Sequence, residues 1–410
     1  PGPSAALPLI GAITAPPHAP ARSRPSDGQQ AAASPHPVTE AMLLDADQLR
    51  RAAPRNDWVV WSTSDNSGGT GLNTACQATR FADPHGLAAF VRTFDATGRP
   101  RRSAVQTVEV SRTRAAAAAA YATMLRWYAD CTRTHAQLVA AFRVSGLGDA
   151  ARVLTLRLAG HRWYDVGVAR SGAVTTLTVL QTRRGGAVGP HATSADLATA
   201  VQRLCGADDA GTCTSAPPRL VPSLPRVGGE RVGMLATADL PFVDHLARPW
   251  VGTRPTATRS NVAATPCDRT DFHALGARRA VTRTFLVPQA RLPERFGLSE
   301  TYGAFAGGGR ATAALHRVQR RMAACSRSDL GARVRHARVV AHSSHGSSYG
   351  LWRVEVEVTA HRRVSYWMGV ARVGRYLAQV TFSPVPGKDV GAPVFEALVE
   401  RARDRLLELP

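Results

Sequence analysis

Two stretches of this 410-residue chain carry the same residues at the same spacing. Cys76, Thr79, Phe81 and Arg92-Thr93-Phe94 spell C-x2-T-x-F-x10-R-T-F. Cys267, Thr270, Phe272 and Arg283-Thr284-Phe285 spell it again, without a gap, 191 positions later. A second ungapped frame, M-L-x2-A-D-x10-W-V, runs from Met42 to Val59 and from Met234 to Val251. A tandem duplication of this kind constrains the fold strongly. Whatever the first half folds into, the second half folds into also, and each half buries its own core. The length agrees, because chains of this size split into domains of ~100–200 residues.

The pattern following each duplicated stretch indicates the elements. Asp47 and Asp239 are candidate caps of short opening helices, and Trp58 and Trp250 are expected in the core. A strand is expected to end at each Arg-Thr-Phe triplet. Residues 104–111 alternate and are β-branched, which predicts a half-buried strand. Residues 112–130 combine an alanine run with Tyr121, Met124, Leu125 and Tyr128 at helical spacing, and 310–324 is the counterpart. Strands follow at 151–158, 163–169 and 174–181, then at 335–341, 351–359, 364–371 and 377–382. Gly167–Arg170 and Gly369–Arg372 are the same tetrapeptide, each with a turn glycine beyond it (Gly172, Gly374), so an antiparallel meander is expected. Closing helices are predicted at 194–204, with Ser194 as cap, and at 392–407.

The predicted fold class is therefore α+β: two tandem homologous domains, each an antiparallel β-sheet packed with helices and stapled by disulfides. Residues 1–38, rich in Pro and Ala, read as a disordered linker. The first domain is placed at 39–216, a proline-rich linker at 217–232 and the second domain at 233–410.

Six cysteines are present, and no pair has C-x-x-C spacing, so zinc-ribbon and thioredoxin-type chemistry is unsupported. An even count without metal spacing points to disulfides in an oxidising compartment, the rival being buried free thiols in a cytosolic protein. Cys76 and Cys131 are 55 residues apart and Cys267 and Cys325 are 58 apart, and the second of each pair ends a predicted long helix. These are equivalent pairs, which leaves Cys205 with Cys213. No run of eighteen apolar residues exists. The sequence opens on Pro1, and residues 5–12 suit either the tail of a removed signal or anchor segment or a linker. Membrane anchoring is expected only through a segment upstream.

The charge is +21, from 51 Lys+Arg against 30 Asp+Glu, and Lys388 is the sole lysine. Codon bias toward arginine explains such a surplus, and so does attraction to an anionic partner. The arginines are spread along the chain and aromatic residues make up only 6%, so nucleic acid is not favoured.

Three motifs suggest chemistry. Gly346-Ser347-Ser348-Tyr349-Gly350 matches G-x-S-x-G, with His342 and His345 before it, but a nucleophile elbow needs a helix after the serine and a strand is predicted there. His342 and His345, with His336 or His361, lack an acidic or cysteine partner at metal-binding spacing. Gly307-Gly308-Gly309 precedes a helix but has no Lys-Ser/Thr after it, so Arg310 is expected at a plain helix start. No metal or other cofactor is expected, and the ligand-binding residues are not legible.

The Met-Leu opening, the cysteine before a strand, the long helix ending in cysteine, the glycine hairpin of long strands and the closing helix occur twice. Each set resembles the PknH-like extracellular sensor domain of actinobacterial proteins, over roughly 39–216 and 227–410. The resemblance implies an α+β fold with a curved antiparallel β-sheet packed with helices, intradomain disulfides, a cleft and non-catalytic ligand sensing outside the cell, with an unknown small molecule or envelope component as partner. Cys205, Cys213 and the tandem arrangement depart from that family's pattern. The expected function is thus an extracytoplasmic binding or sensor protein. The alternatives are a secreted serine hydrolase using Ser348 and a structural cell-surface module.

Overall fold

The computed structural model describes residues 37–131, 134–225, 231–243, 245–246, 248–341, 347–359 and 362–410. The first repeat opens on a 3-10 turn, Glu40–Met42, and continues through α1 (Ala46–Ala52), β1 (Asp57–Ser64), β2 (Ala88–Thr97), β3 (Arg101–Val110) and α2 (Arg114–Ala129). The meander β4 (Ala136–Leu147), β5 (Ala150–Leu158), β6 (Arg162–Ser171) and β7 (Val174–Arg183) follows, then α3 (Pro190–Leu204) and β8 (Thr214–Pro222). The eight strands form one antiparallel sheet in the order β1-β2-β3-β7-β6-β5-β4-β8.

The second repeat has a 3-10 turn, Thr237–Asp239, then β9 (Val251–Gly252), β10 (Thr256–Ala257), β11 (Ala277–Leu286), β12 (Gly297–Phe305) and α4 (Gly308–Ser328). Its meander is β13 (Ala332–Ala341), β14 (Ser348–Thr359), β15 (Arg362–Val373) and β16 (Tyr376–Ser383), closed by α5 (Ala392–Leu406). The order β10-β11-β12-β16-β15-β14-β13 repeats that of the first sheet, with β9 also paired to β11. Where the first repeat has one eight-residue strand after its tryptophan, the second has two short pieces. Pro255 stands between those pieces and has no amide hydrogen to donate to a ladder.

Each sheet is covered on both faces because its strands alternate. In the first repeat Leu177 and Val179 pack with Met124, Trp127 and Tyr128 of α2. Leu180, one residue beyond Val179 and so on the other face, packs instead with Leu49 of α1, and Leu197 and Val201 of α3 lie on Val153 and Ala169. The second repeat divides the same way: Leu315, Val318 and Met322 of α4 meet Met368, Val370 and Leu377, while Phe395, Leu398 and Val399 of α5 meet Trp367, Val380 and Phe382.

All three expected disulfides form, with Cα–Cα distances of 5.1 Å for Cys76–Cys131, 5.8 Å for Cys205–Cys213 and 5.2 Å for Cys267–Cys325. Trp58 and Trp250 are both buried. The arginine of each Arg-Thr-Phe triplet is a clamp: Arg92 Nη1 donates to the Leu44 carbonyl at 3.0 Å, and Arg283 Nη1 to that of Leu235 at 3.2 Å. The phenylalanines, Phe94 and Phe285, are core residues.

Several details differ from expectation. Asp45, not Asp47, caps α1; it accepts the Gln48 amide at 3.0 Å, and Gln48 returns the contact to the Asp45 amide at 2.9 Å. Asp47 is exposed and pairs with Arg50. Ser194 is the fifth residue of α3 rather than its cap. That role falls to Gly189 at φ 96°, followed by Pro190, whose missing amide hydrogen costs nothing at a first helical position. α5 begins likewise on Gly391. β2 and β11 run on past their triplets to Thr97 and Leu286. Arg310 is the third residue of α4, not the first. Residues 217–222, read as linker, belong to β8, where Pro217, Pro218 and Pro222 are tolerated because the strand is at the sheet edge.

Candidate functional site

The end of α2 and the start of β4 form one wall of a cleft between the repeats. The opposite wall comes from the 3-10 turn at Thr237–Asp239 and from Pro249, Trp250 and the β9 strand that follows them. Its lining includes Asp130, Thr134 and His135 from the first repeat and Thr237, Trp250 and Gln289 from the second. The volume is about 330 Å³, within the range of small-molecule sites, which favour domain boundaries. The opening of the second repeat holds the walls in place. Ala238 packs into the core beneath α2, Phe242 stacks on the His135 ring at 4.0 Å between centroids, and the Arg157 guanidinium lies 5.2 Å from the same Phe242 ring.

His135 is the unusual member. It is 7% exposed, yet neither ring nitrogen has a hydrogen-bond partner among the described residues. Burial, reinforced by the Arg157 charge, lowers its pKa to about 4. At neutral pH the ring is therefore uncharged, with one N–H donor and one lone-pair acceptor. A buried polar group left unpaired costs ~1–3 kcal/mol. The Trp250 indole, by contrast, is already committed, donating to the Pro241 carbonyl at 2.9 Å.

A second internal space lies in the first repeat alone, beneath α1 and α3. Leu44, Leu49, Phe94 and Leu180 line it together with Gln106, Asp165, Thr178, Thr193 and Asp196. Its volume is about 10 Å³, room for about one water molecule. The second repeat shows what a filled version looks like. Aligned on Gly167 and Gly369, residues Asp165, Thr178, Leu180, Thr193 and Asp196 become Trp367, Val380, Phe382, Phe395 and Leu398, all members of one apolar cluster. Asp165 is satisfied by Thr155 Oγ1 at 3.2 Å and the Val188 amide at 2.9 Å. Asp196, 8% exposed, accepts no hydrogen bond among the described residues; burial pushes its pKa up to about 7 against the opposing charge of Arg51.

The residues singled out in the sequence lie elsewhere. Ser348 is the first residue of β14, paired in register with Ala341 and Arg372, and a strand follows it. The strand–turn–helix setting of a nucleophile elbow is therefore missing there. His342, His345, Gly346 and His361 fall outside the described residues, and His336 is a β13 residue. Gly307–Gly309 begin α4 with no side-chain cap. Among the described residues no three His, Cys, Asp or Glu side chains gather as metal ligands, and no helix is long and apolar enough to cross a membrane. Cys131 does line the cleft, so one structural disulfide borders the site. His135 itself carried no sequence signal: its isolation depends on Phe242, which lies far along the chain.

No protein-family model and no curated protein matches the chain. Among solved structures, a similarity is found to the crystal structure of DynU16, a putative protein in the dynemicin biosynthetic locus. It is 10% identical and covers 85% of this chain and 94% of that one, with a TM-score of 0.11.

Proposed function

We propose that the chain is a non-catalytic, exported ligand-binding or sensor protein of the cell envelope, and that its small-molecule site is the cleft between the repeats. The observation that carries this reading is His135, a buried neutral imidazole with two unmatched hydrogen-bonding atoms on the wall of a cleft of about 330 Å³. A ligand offering a donor and an acceptor to that ring recovers the hydrogen bonds that the free protein lacks. The neighbouring aromatic and proline surfaces suit an uncharged, partly apolar molecule. The pairing of all six cysteines supports export to an oxidising compartment.

The test is native mass spectrometry of the protein purified from its own organism, beside His135→Phe prepared in the same way. The wild type is expected to retain a small-molecule mass that the variant loses with its three disulfides intact. A mass held equally by both, or by neither, refutes the assignment.

A further inference from the structure

On the face of the first sheet that carries α2, the lower ends of three adjacent strands bring arginines into one row. Arg101 of β3 is directly opposite Arg183 of β7, and Arg183 is directly opposite Arg162 of β6. Directly paired residues in an antiparallel ladder project from the same face, and like charges so placed repel. None of the three has a carboxylate partner among the described residues; Arg162 only donates from Nε to the Ala159 carbonyl, at 3.0 Å. One register step inward on the same face Ser103 is opposite Gln181, and Asp95 of β2 is opposite Ser103. Arg101, Arg183, Ser103, Gln181 and Asp95 line a groove of about 340 Å³ with Val59 at its edge.

The duplication supplies the comparison. Arg162 and Arg183 correspond to Val364 and Val385 of the second repeat, which are 5% and 8% exposed. Val364 shows that the second repeat fills the β6 position with a buried apolar side chain, whereas Val385 lies beyond the end of β16 at Ser383 and packs in the cluster beneath α5. Arg162 and Arg183 are thus particular to the first repeat, whereas Arg101 has an exposed counterpart, Arg295, in the register that matches Gln106 with Glu300; three like charges side by side repel in the absence of an anion.

We propose that this groove binds a phosphate-bearing ligand. The phosphate lies between the Arg101 and Arg183 guanidiniums, which present planar arrays of donors suited to its oxygens. Ser103 and Gln181 supply neutral hydrogen bonds beside it, and Asp95 accepts from a hydroxyl on the rest of the ligand. This is a site separate from the cleft and independent of the function assigned to it. The same chemistry is found in free phosphorylated metabolites and in lipid headgroups.

Calorimetric titration of the full chain with inorganic pyrophosphate at fixed ionic strength tests the proposal. Arg101→Gln/Arg183→Gln is compared with Arg310→Gln/Arg327→Gln, which removes the same charge from exposed positions on α4. Saturable binding by the wild type is expected, weakened about tenfold or more in the first variant and changed less than about twofold in the second. Equal losses in both variants, or no saturable binding by the wild type, overturn it. A second pair of variants guards against misfolding: Arg183→Gln without ligand is expected to unfold at a higher temperature than the wild type at low salt, and Arg183→Val to do likewise. A lower midpoint for both means that the row is structural and ends the proposal. Cosedimentation with phosphatidylcholine vesicles containing phosphatidic acid separates the sources. Loss of vesicle binding in the first variant assigns a headgroup, and pyrophosphate binding without vesicle binding assigns a soluble ligand.

Discussion

Gln106 and Glu300 occupy the same place in the two repeats and do the same work with different charge. Gln106 Oε1 accepts the Leu44 amide at 2.7 Å, and Glu300 Oε2 accepts the Leu235 amide at 2.8 Å. Each faces the arginine of its Arg-Thr-Phe triplet across a register pair, Arg92 in one sheet and Arg283 in the other. Glu300 is fully buried, and Oε1 has no hydrogen-bond partner among the described residues. Burial pushes its pKa up to about 8, aided by the Asp239 charge and opposed by Arg283 and Arg405.

The sign of the linkage follows from the raised value. Between the ordinary carboxyl range and about pH 8 the folded chain holds a proton that the unfolded chain has released, so stability falls as pH rises through that window. Glu300→Gln, which copies the first repeat, removes the titration. It should match the wild type at pH 5 and exceed it at pH 9 by on the order of 2 kcal/mol. Urea unfolding at the two pH values reads the difference; a variant equally destabilised at both would show that the carboxylate itself is needed.

Asp196 gives the first repeat a similar dependence. With its pKa pushed up to about 7 by burial, the folded state favours the protonated acid, and stability declines as pH climbs from about 4 to 7. Asp196→Leu installs the residue that the second repeat has at Leu398. The gain in stability should be roughly 1–3 kcal/mol at pH 8 and smaller at pH 4. Thermal unfolding at both values checks it, and a loss at pH 8 would show that the cavity has no room for the side chain.

Arg405 of α5 makes two contacts to the buried carboxylate of Asp239, at 2.8 and 3.1 Å. The first repeat has a looser version, Arg203 with Asp45 at 3.5 Å. Arg405→Met leaves Asp239 buried with only Arg401, 3.9 Å away, as a counter-charge. The expected cost is about 3–5 kcal/mol, against less than about 1 kcal/mol for Arg203→Met, whose pair is partly exposed. Chemical denaturation of the two variants side by side measures the contrast.

The disulfides should rank by the loops they close. Cys76–Cys131 spans 55 residues and Cys205–Cys213 spans 8. Chain-entropy loss in the unfolded state predicts ~4 kcal/mol for the first and ~2.5 kcal/mol for the second. Paired Cys→Ser variants test the order by their denaturation midpoints, and a reversed order would place the main effect in the native state.

Much of the architecture could be read from the residues because duplication reports it twice. The ungapped frames identified an equivalent cysteine and tryptophan in each repeat, and the repeated Gly-Val-Ala-Arg identified the hairpin glycines, without any knowledge of packing. β1 was missed although Trp58, Val59, Val60 and Trp61 suit a strand, whereas other missed strands lack the usual signals. β4 opens Ala136-Gln-Leu-Val-Ala-Ala, which reads as readily as helix, and β12 contains Gly297 and Gly303. β8 was hidden by its prolines, which mark a linker and an edge strand alike. The cleft was not legible at all. His135 acquires its environment only when Phe242 and Trp250 arrive from the other repeat, and no local period encodes that meeting. The arginine row was equally hidden, since Arg101, Arg162 and Arg183 are far apart in sequence and become neighbours through register.

The strand Thr214–Pro222 gives the connection between the repeats a mechanical character. Its pairs with β4 run from Pro222 opposite Phe142 to Thr214 opposite Leu147. Once Ser223, whose amide donates to the Ala141 carbonyl at 3.0 Å, has let go, tension applied through the second repeat reaches Pro222 before any other β8 pair and peels β8 from β4 one pair at a time. The peel ends at Cys213, where the disulfide to Cys205 ties the chain to the end of α3. β4 begins at Ala136, beside His135 on the cleft wall. The strand that takes up the load between the repeats is thus the one that carries the cleft wall at its other end.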